Sequence, residues 1–254
     1  MPRFFVDTPL GEARRLELPP TAARHVQVLR LQPGQPLTLF DGRGGEWAAR
    51  VTAMGRQSVA VELLTHDPID RELPLNVTLV AAMPANDRFD WLVEKATELG
   101  VSTIVPVLTA RSVLKLAGER AQRKQAHWQG VAAAAAEQSG RTRVPAIGEV
   151  QPLQAWLRDG GPATLPAAAG RSGPIGPAGQ LLLSLQDAEP IAQRLAQGGS
   201  ARHWVLYSGP EGGFTAAEEA ELRALGAQPT TLGPRVLRAE TAPLAALALI
   251  AAGR

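Results

Sequence analysis

The chain has 254 residues, 45% of them hydrophobic and 20% charged, which excludes a disordered or fibrous protein and allows a sizeable core and more than one domain. A net charge of +2 is too small to announce nucleic-acid binding, so what matters is where the arginines cluster. With no cysteine, disulfides, thiolate chemistry and the usual zinc patterns fall away.

Residues 1–7 show no long apolar stretch behind their basic residue, and the apolar run near the C-terminus is too short and alanine-rich to cross a bilayer. A cytoplasmic protein with no membrane partner is expected. Up to about residue 70 the pattern is short strands and tight turns. Residues 36–40, 46–51 and 58–64 alternate or run apolar, broken by Asp41-Gly42-Arg43-Gly44-Gly45 and by Gly55, which predicts a small β-barrel over 1–70. A strand follows the glycine cluster where a dinucleotide fold would need a helix, so the cluster reads as a hairpin turn. Arginines are frequent here, and two readings stand: a basic barrel that holds nucleic acid, or scattered solubilising charge.

The polar, proline-bearing stretch 67–74 reads as a linker. From 75 to 254 strands and helices alternate. A buried-type strand at 76–83 precedes Phe89, Leu92, Val93, Ala96 and Leu99 at helical spacing; a strand at 102–108 precedes a long helix at about 119–139. That βαβ start predicts a parallel α/β domain. Residues 159–179, rich in Gly, Pro and Ala, read as a long loop, before a strand at 181–185 and a short helix near 189–197. The histidines at 25, 66, 127 and 203 have no ligand spacing, and no metal is expected.

Two glycine and arginine motifs each follow a strand-like run. Gly209-Pro210-Glu211-Gly212-Gly213-Phe214 comes after 203–207, and Leu232-Gly233-Pro234-Arg235-Val236-Leu237-Arg238-Ala239-Glu240-Thr241-Ala242 comes after 229–232. Between them Thr215 and Glu218 have capping-box spacing, and Gly226 stops the helix. The second loop also ends at a helix, with Thr241 as its expected cap and Pro243 in its first turn. Loops at the C-terminal edge of an α/β sheet commonly make a ligand site. The first motif has neither the P-loop ending nor the dinucleotide spacing, so it is not a familiar nucleotide loop.

Those loops resemble the RsmE family, as do Glu94-Lys95-Ala96-Thr97-Glu98-Leu99-Gly100-Val101, Glu137-Gln138-Ser139-Gly140-Arg141 with Val144-Pro145, and His25 with Val28-Leu29-Arg30. This family comprises SPOUT-class methyltransferases acting on uridine in small-subunit ribosomal RNA. The resemblance covers nearly the whole chain. It implies a PUA-like β-barrel followed by a SPOUT α/β domain with a trefoil knot, a homodimer, and S-adenosylmethionine (S-adenosyl-L-methionine) as methyl donor to N3 of a uridine on the small ribosomal subunit. It also implies that Gly209, Pro210, Glu211, Gly212, Gly213, Leu232, Gly233, Val236, Leu237 and Thr241 hold the cofactor. In the loop at 84–88, Arg88 is the cation where the family carries lysine.

Methylating uracil N3 requires an exposed Watson–Crick edge, loss of the imide proton and a donor for the developing charge on the ring oxygens. Arg238 or Arg235 is the candidate for that charge or for the target phosphate, against a simple salt bridge to Glu240; Glu211 or Glu240 is the candidate base, against a role in loop geometry. Arg3, Arg24, Arg30, Arg88 and Arg141 are the candidate RNA contacts. The alternatives are a related methyltransferase acting on transfer RNA or a ribose 2′-hydroxyl, and a non-catalytic RNA-binding ribosome-assembly factor.

Overall fold

The structure, a computed structural model, describes residues 1–11, 14–84, 88–164, 179–199 and 201–253. Most of the expected loop at 159–179, and the centre of the loop at 84–88, lie outside the described residues. The chain divides into two compact units, residues 1–72 with 133–144, and residues 73–132 with 145–254.

In the first unit the strands are β1 (Arg3–Phe5), β2 (Arg15–Glu17), β3 (Pro36–Phe40), β4 (Glu46–Met54) and β5 (Val59–Asp67), in the order β1-β3-β4-β5-β2. All pairings are antiparallel except β1 with β3, and two register shifts in β4 bend the sheet into a barrel-like shape. The alternating apolar residues Leu37, Leu39, Ala49, Val51, Val59, Val61 and Leu63 point into one core.

That core is completed by a helix the strand-and-turn reading did not contain, α1 (Pro20–Val28). Its Ala22, Ala23 and Val26 are buried against the sheet, and Pro20 suits the first helical position because its missing N–H has no partner there anyway.

Residues 133–144 join this unit through a charged network. Arg3 donates to the carbonyls of Ala136 at 3.1 Å, Glu137 at 3.3 Å and Arg141, and to Glu46 at 3.0 Å, while its guanidinium lies over the ring of Phe40. Arg71 donates to Glu46 and to the carbonyl of Gly140. The hydrogen bond from Arg71 holds the Glu46 carboxyl below the usual carboxylate range against the opposing effect of burial. Glu72 and Arg141 form a buried ion pair. The expected linker therefore has Arg71 and Glu72 tied down, and Arg141 offsets the desolvation cost of the buried Glu72 carboxylate.

The second unit holds β6 (Asn76–Ala82), α2 (Arg88–Glu98), β7 (Thr103–Leu108), α3 (Gly118–Ser139, which continues into the first unit) and the short β8 (Ala146–Ile147) and β9 (Gln151–Pro152). These are followed by α4 (Leu153–Arg158), a 3-10 turn (Gly161–Thr164), β10 (Gly179–Leu183), β11 (Glu189–Pro190), α5 (Ile191–Gln197), β12 (His203–Ser208), α6 (Ala216–Ala224), β13 (Gln228–Thr231) and α7 (Thr241–Ala252). Among the described residues the sheet runs β11-β13-β10-β12-β6-β7-β8, with β9 also on β7, and every pairing is parallel.

Parallel strands need crossovers, and the helices serve as them, so the central strands are covered on both faces and read as near-continuous apolar runs. One face packs Val80, Val105, Val107, Leu182, Val205 and Tyr207 against Leu153 and Trp156 of α4 and Leu222 of α6. After α6 the chain places β13 between β10 and β11, strands laid down earlier, and α7 then packs on α2 and α5. No helix among the described residues is long and apolar enough to cross a membrane.

Candidate active site at the carboxyl edge of the sheet

Because the strands are parallel, the loops after β6, β7, β10, β12 and β13 all leave from the same sheet edge. The 209–214 loop is fixed there by three devices. Gly213 N–H donates to the Pro210 carbonyl at 2.8 Å, closing a tight turn with Gly213 at φ +67°. A side chain at Gly209 would meet the backbone of Gly213 and Phe214 at 2.8–3.0 Å, so only glycine lets the turn fold back on itself. Phe214 is buried in the core and anchors the far end.

The predicted capping box at α6 is present. Thr215 Oγ1 accepts from Glu218 N at 3.2 Å, and Glu218 Oε2 accepts from Thr215 N at 2.8 Å. Glu218 is buried, and its other oxygen accepts from Ala110 N at 2.8 Å. Arg111 donates to the carbonyls of Gly212 at 2.5 Å and Phe214 at 3.3 Å. The loop after β7 thus clamps the first glycine loop, which the sequence reading missed. The available signal was position, because residues 109–111 follow a strand end on the same edge.

In the second loop Gly233 has φ +111°, and its N–H donates to Thr231 Oγ1 at 3.2 Å. Leu232 and Leu237 are half-buried, and Val236 is 80% exposed. Arg235 and Arg238 are exposed, and among the described residues their side chains have no partner. The alternative for Arg238, a salt bridge to Glu240, is not formed. Glu240 is buried, with Oε1 3.7 Å from Arg88 Nε and Oε2 without a hydrogen-bond partner.

Two expectations need correction here. Thr241 is the first residue of α7 rather than its cap; the cap position belongs to Glu240, whose backbone is already helical and whose side chain makes no capping hydrogen bond. The Thr241 and Ala242 N–H groups instead donate to the Arg238 carbonyl at 2.9 and 3.0 Å. Among the described residues Arg24 and Arg30 are exposed with no side-chain partner, whereas Arg3 and Arg141 are engaged inside the first unit. Releasing Arg141 toward a phosphate would strand Glu72 as a buried charge, and Arg3 would have to give up its bonds to Glu46 and to three backbone carbonyls, so both are committed within this unit.

A parallel sheet carrying two glycine loops and unpaired arginines on one edge defines a class, and the chain matches the family model of an RNA methyltransferase domain over residues 71–251 and that of an RNA methyltransferase PUA domain over residues 18–64. A Bacillus subtilis protein named ribosomal RNA small subunit methyltransferase E is 30% identical, with 98% of this chain and 96% of that protein covered. The crystal structure of a ribosomal RNA small subunit methyltransferase E from Neisseria gonorrhoeae bound to S-adenosyl methionine is 36% identical and superimposes with a TM-score of 0.85 over 98% of this chain and 96% of that one. A putative methyltransferase from Legionella pneumophila, in complex with the same cofactor, is 29% identical with a TM-score of 0.85 over 99% and 97% of the two chains. The chain belongs to the ribosomal RNA small subunit methyltransferase E family.

Proposed function

We propose that this protein transfers a methyl group from S-adenosylmethionine to N3 of a uridine in small-subunit (16S) ribosomal RNA, acting on the assembled subunit as a cytoplasmic homodimer. The observation that carries the reading is the pair of loops, 209–214 and 232–241, on one sheet edge in a chain of this family. The residues fit the cofactor. The Gly209 turn excludes a side chain, nothing lies within 4 Å of the Cβ position at Gly213 or Gly233, and Val236 offers an uncovered apolar side chain. Gly209, Pro210, Glu211, Gly212, Gly213, Leu232, Gly233, Val236, Leu237 and Thr241 are the proposed binding residues. The trefoil knot belongs to the same reading and is supported by the late insertion of β13 between earlier strands.

S-adenosylmethionine supplies an activated methyl group, so the protein's task is to align the target nitrogen and manage its proton and charge. Arg238, with Arg235 close by in the loop, has an unpaired guanidinium suited to a uracil oxygen or the target phosphate. Glu240 is buried with one carboxylate oxygen near Arg88, which suits it to orient Arg88; its other oxygen is buried without a donor, so service as the base would require the loop to move. Arg24, Arg30 and Arg88 are the proposed RNA contacts. The Arg238→Ala protein should fold and bind S-adenosylmethionine like wild type while its methylation rate falls roughly 100-fold, the order seen when one donor to a developing oxyanion is removed. Methylation at the wild-type rate would remove Arg238 from the mechanism.

A further inference from the structure

We propose that the first half of α3 is a second RNA contact, in which Arg120, Arg123, Lys124 and His127 hold the phosphate backbone of the strand that leads to the methylation edge. This rests on the RNA methyltransferase reading above and adds a surface which that reading does not use. The four residues stand at i, i+3, i+4 and i+7, hence on one helix face, and together they line a shallow, open depression of the surface.

The pairing of the three full cations is thin. Among the described residues Arg120 has no partner, Arg123 reaches only Glu119 at 3.9 Å with both side chains largely exposed, and Lys124 lies 4.0 Å from Asp90. Asp90 is already committed, accepting from Trp128 Nε1 at 2.8 Å and meeting His127 Nε2 at 2.6 Å. The helix does not need the stripe for packing, because its other face is held by buried Ala121, Trp128 and Ala132, with Trp128 against the ring of Phe89 at 4.5 Å. The three full cations lie in the first two turns, and Arg120, in the first, also meets the unfavourable end of the helix dipole. They therefore contribute little to stability where they stand, and a polyanion is the partner whose charge matches them.

Topology places the stripe beside the reaction. A crossover helix that follows a parallel strand starts at that strand's carboxyl edge, and α3 begins ten residues after β7 ends at Leu108. The connection carries Arg111, which clamps the 209–214 loop. An RNA strand lying along the stripe thus approaches the edge that bears both glycine loops.

The test replaces Arg120, Arg123 and Lys124 together with glutamine, which keeps helix propensity, and titrates full-length wild type and variant with a fluorescent 30-nucleotide polyuridylate over 50–200 mM salt. Losing three phosphate contacts should make the slope of log affinity against log salt shallower by about 2, from about 0.7 per single-strand contact, and each single Gln variant should remove about 0.7. With unmethylated small subunits, KM should rise roughly tenfold while kcat and S-adenosylmethionine affinity hold. An unchanged salt slope in the folded triple variant and in the single variants overturns the proposal. The slope comparison does not depend on subunits being the substrate, so a wild type that fails to methylate them indicts the substrate reading and not the stripe.

Discussion

Replacing Gly209 with alanine should separate a cofactor loop from an ordinary turn. The new Cβ would lie 2.8 Å from Phe214 N, 2.9 Å from Gly213 C and 3.0 Å from Gly213 Cα, all backbone atoms, whereas ordinary contacts begin near 3.4 Å. The turn must open by about half an ångström, and forcing extra volume of this kind typically costs about 1–3 kcal/mol. If the opened turn has to close again to bind S-adenosylmethionine, the dissociation constant rises about 5- to 150-fold. Two neighbours calibrate the effect. At Gly213 the space is open but φ is +67°, so alanine there strains the backbone by about 1–2 kcal/mol. At Gly212 the nearest atom is Cδ of Arg111 at 3.2 Å, a side chain that has to give by only a few tenths of an ångström and no backbone atom, so alanine should change affinity less than about threefold. Calorimetric titration with S-adenosylmethionine, alongside thermal melts that confirm folding, gives the order. If Gly209→Ala binds as tightly as Gly212→Ala, the 209–214 loop does not form the cofactor site.

Further outcomes concern stability. A Cβ at Gly198 would lie 2.2 Å from Cη2 of fully buried Trp204, so Gly198→Ala should lose about 2–3 kcal/mol in denaturant unfolding, and a loss under about 0.5 kcal/mol would contradict the packing. Arg141→Met strands the buried carboxylate of Glu72 and should cost about 3–5 kcal/mol, part of which the double variant with Glu72→Gln regains; a loss below about 1 kcal/mol would show the pair to be dispensable. Burial pushes the His203 imidazole below its ordinary value, with Nε2 3.0 Å from Thr78 Oγ1 and Nδ1 unpartnered. The unfolded chain then binds the proton more readily, so stability is fully present above about pH 6.5 and falls as pH drops toward the lowered folded value, by at most about 1.4 kcal/mol per unit. His203→Gln should flatten that acid limb, and an identical limb in the variant would assign the effect elsewhere.

The parts of this protein that were legible in its sequence are those with a local or periodic signature. Residues 76–83 and 203–207 read as buried strands because both faces of β6 and β12 are covered, and the Thr215 and Glu218 capping box marks α6 to the residue. Helix α1 stayed hidden because it has no polar cap and starts on the second of two prolines, although Pro20 at its start and the spacing of Ala22, Ala23 and Val26 were available signals. The six residues of α4 are too short for a helical period to show, and two-residue strands such as β8 and β11 exist only through pairing with distant strands. In the site, glycines and exposed arginines could be picked out, but the partners could not. Glu240 turned out to face Arg88, and Arg3 and Arg141 turned out to be internal, because such pairings join positions 69 to 152 residues apart that only the folded chain brings together.

The central claim, uridine-N3 methylation of small-subunit RNA, is tested most directly by incubating the purified protein with labelled S-adenosylmethionine and small subunits from a strain lacking its own enzyme, then resolving the nucleosides by mass spectrometry. A single 3-methyluridine, absent with Arg238→Ala, is the expected result; label on another base or on a ribose, or none despite cofactor binding, would contradict the proposed target.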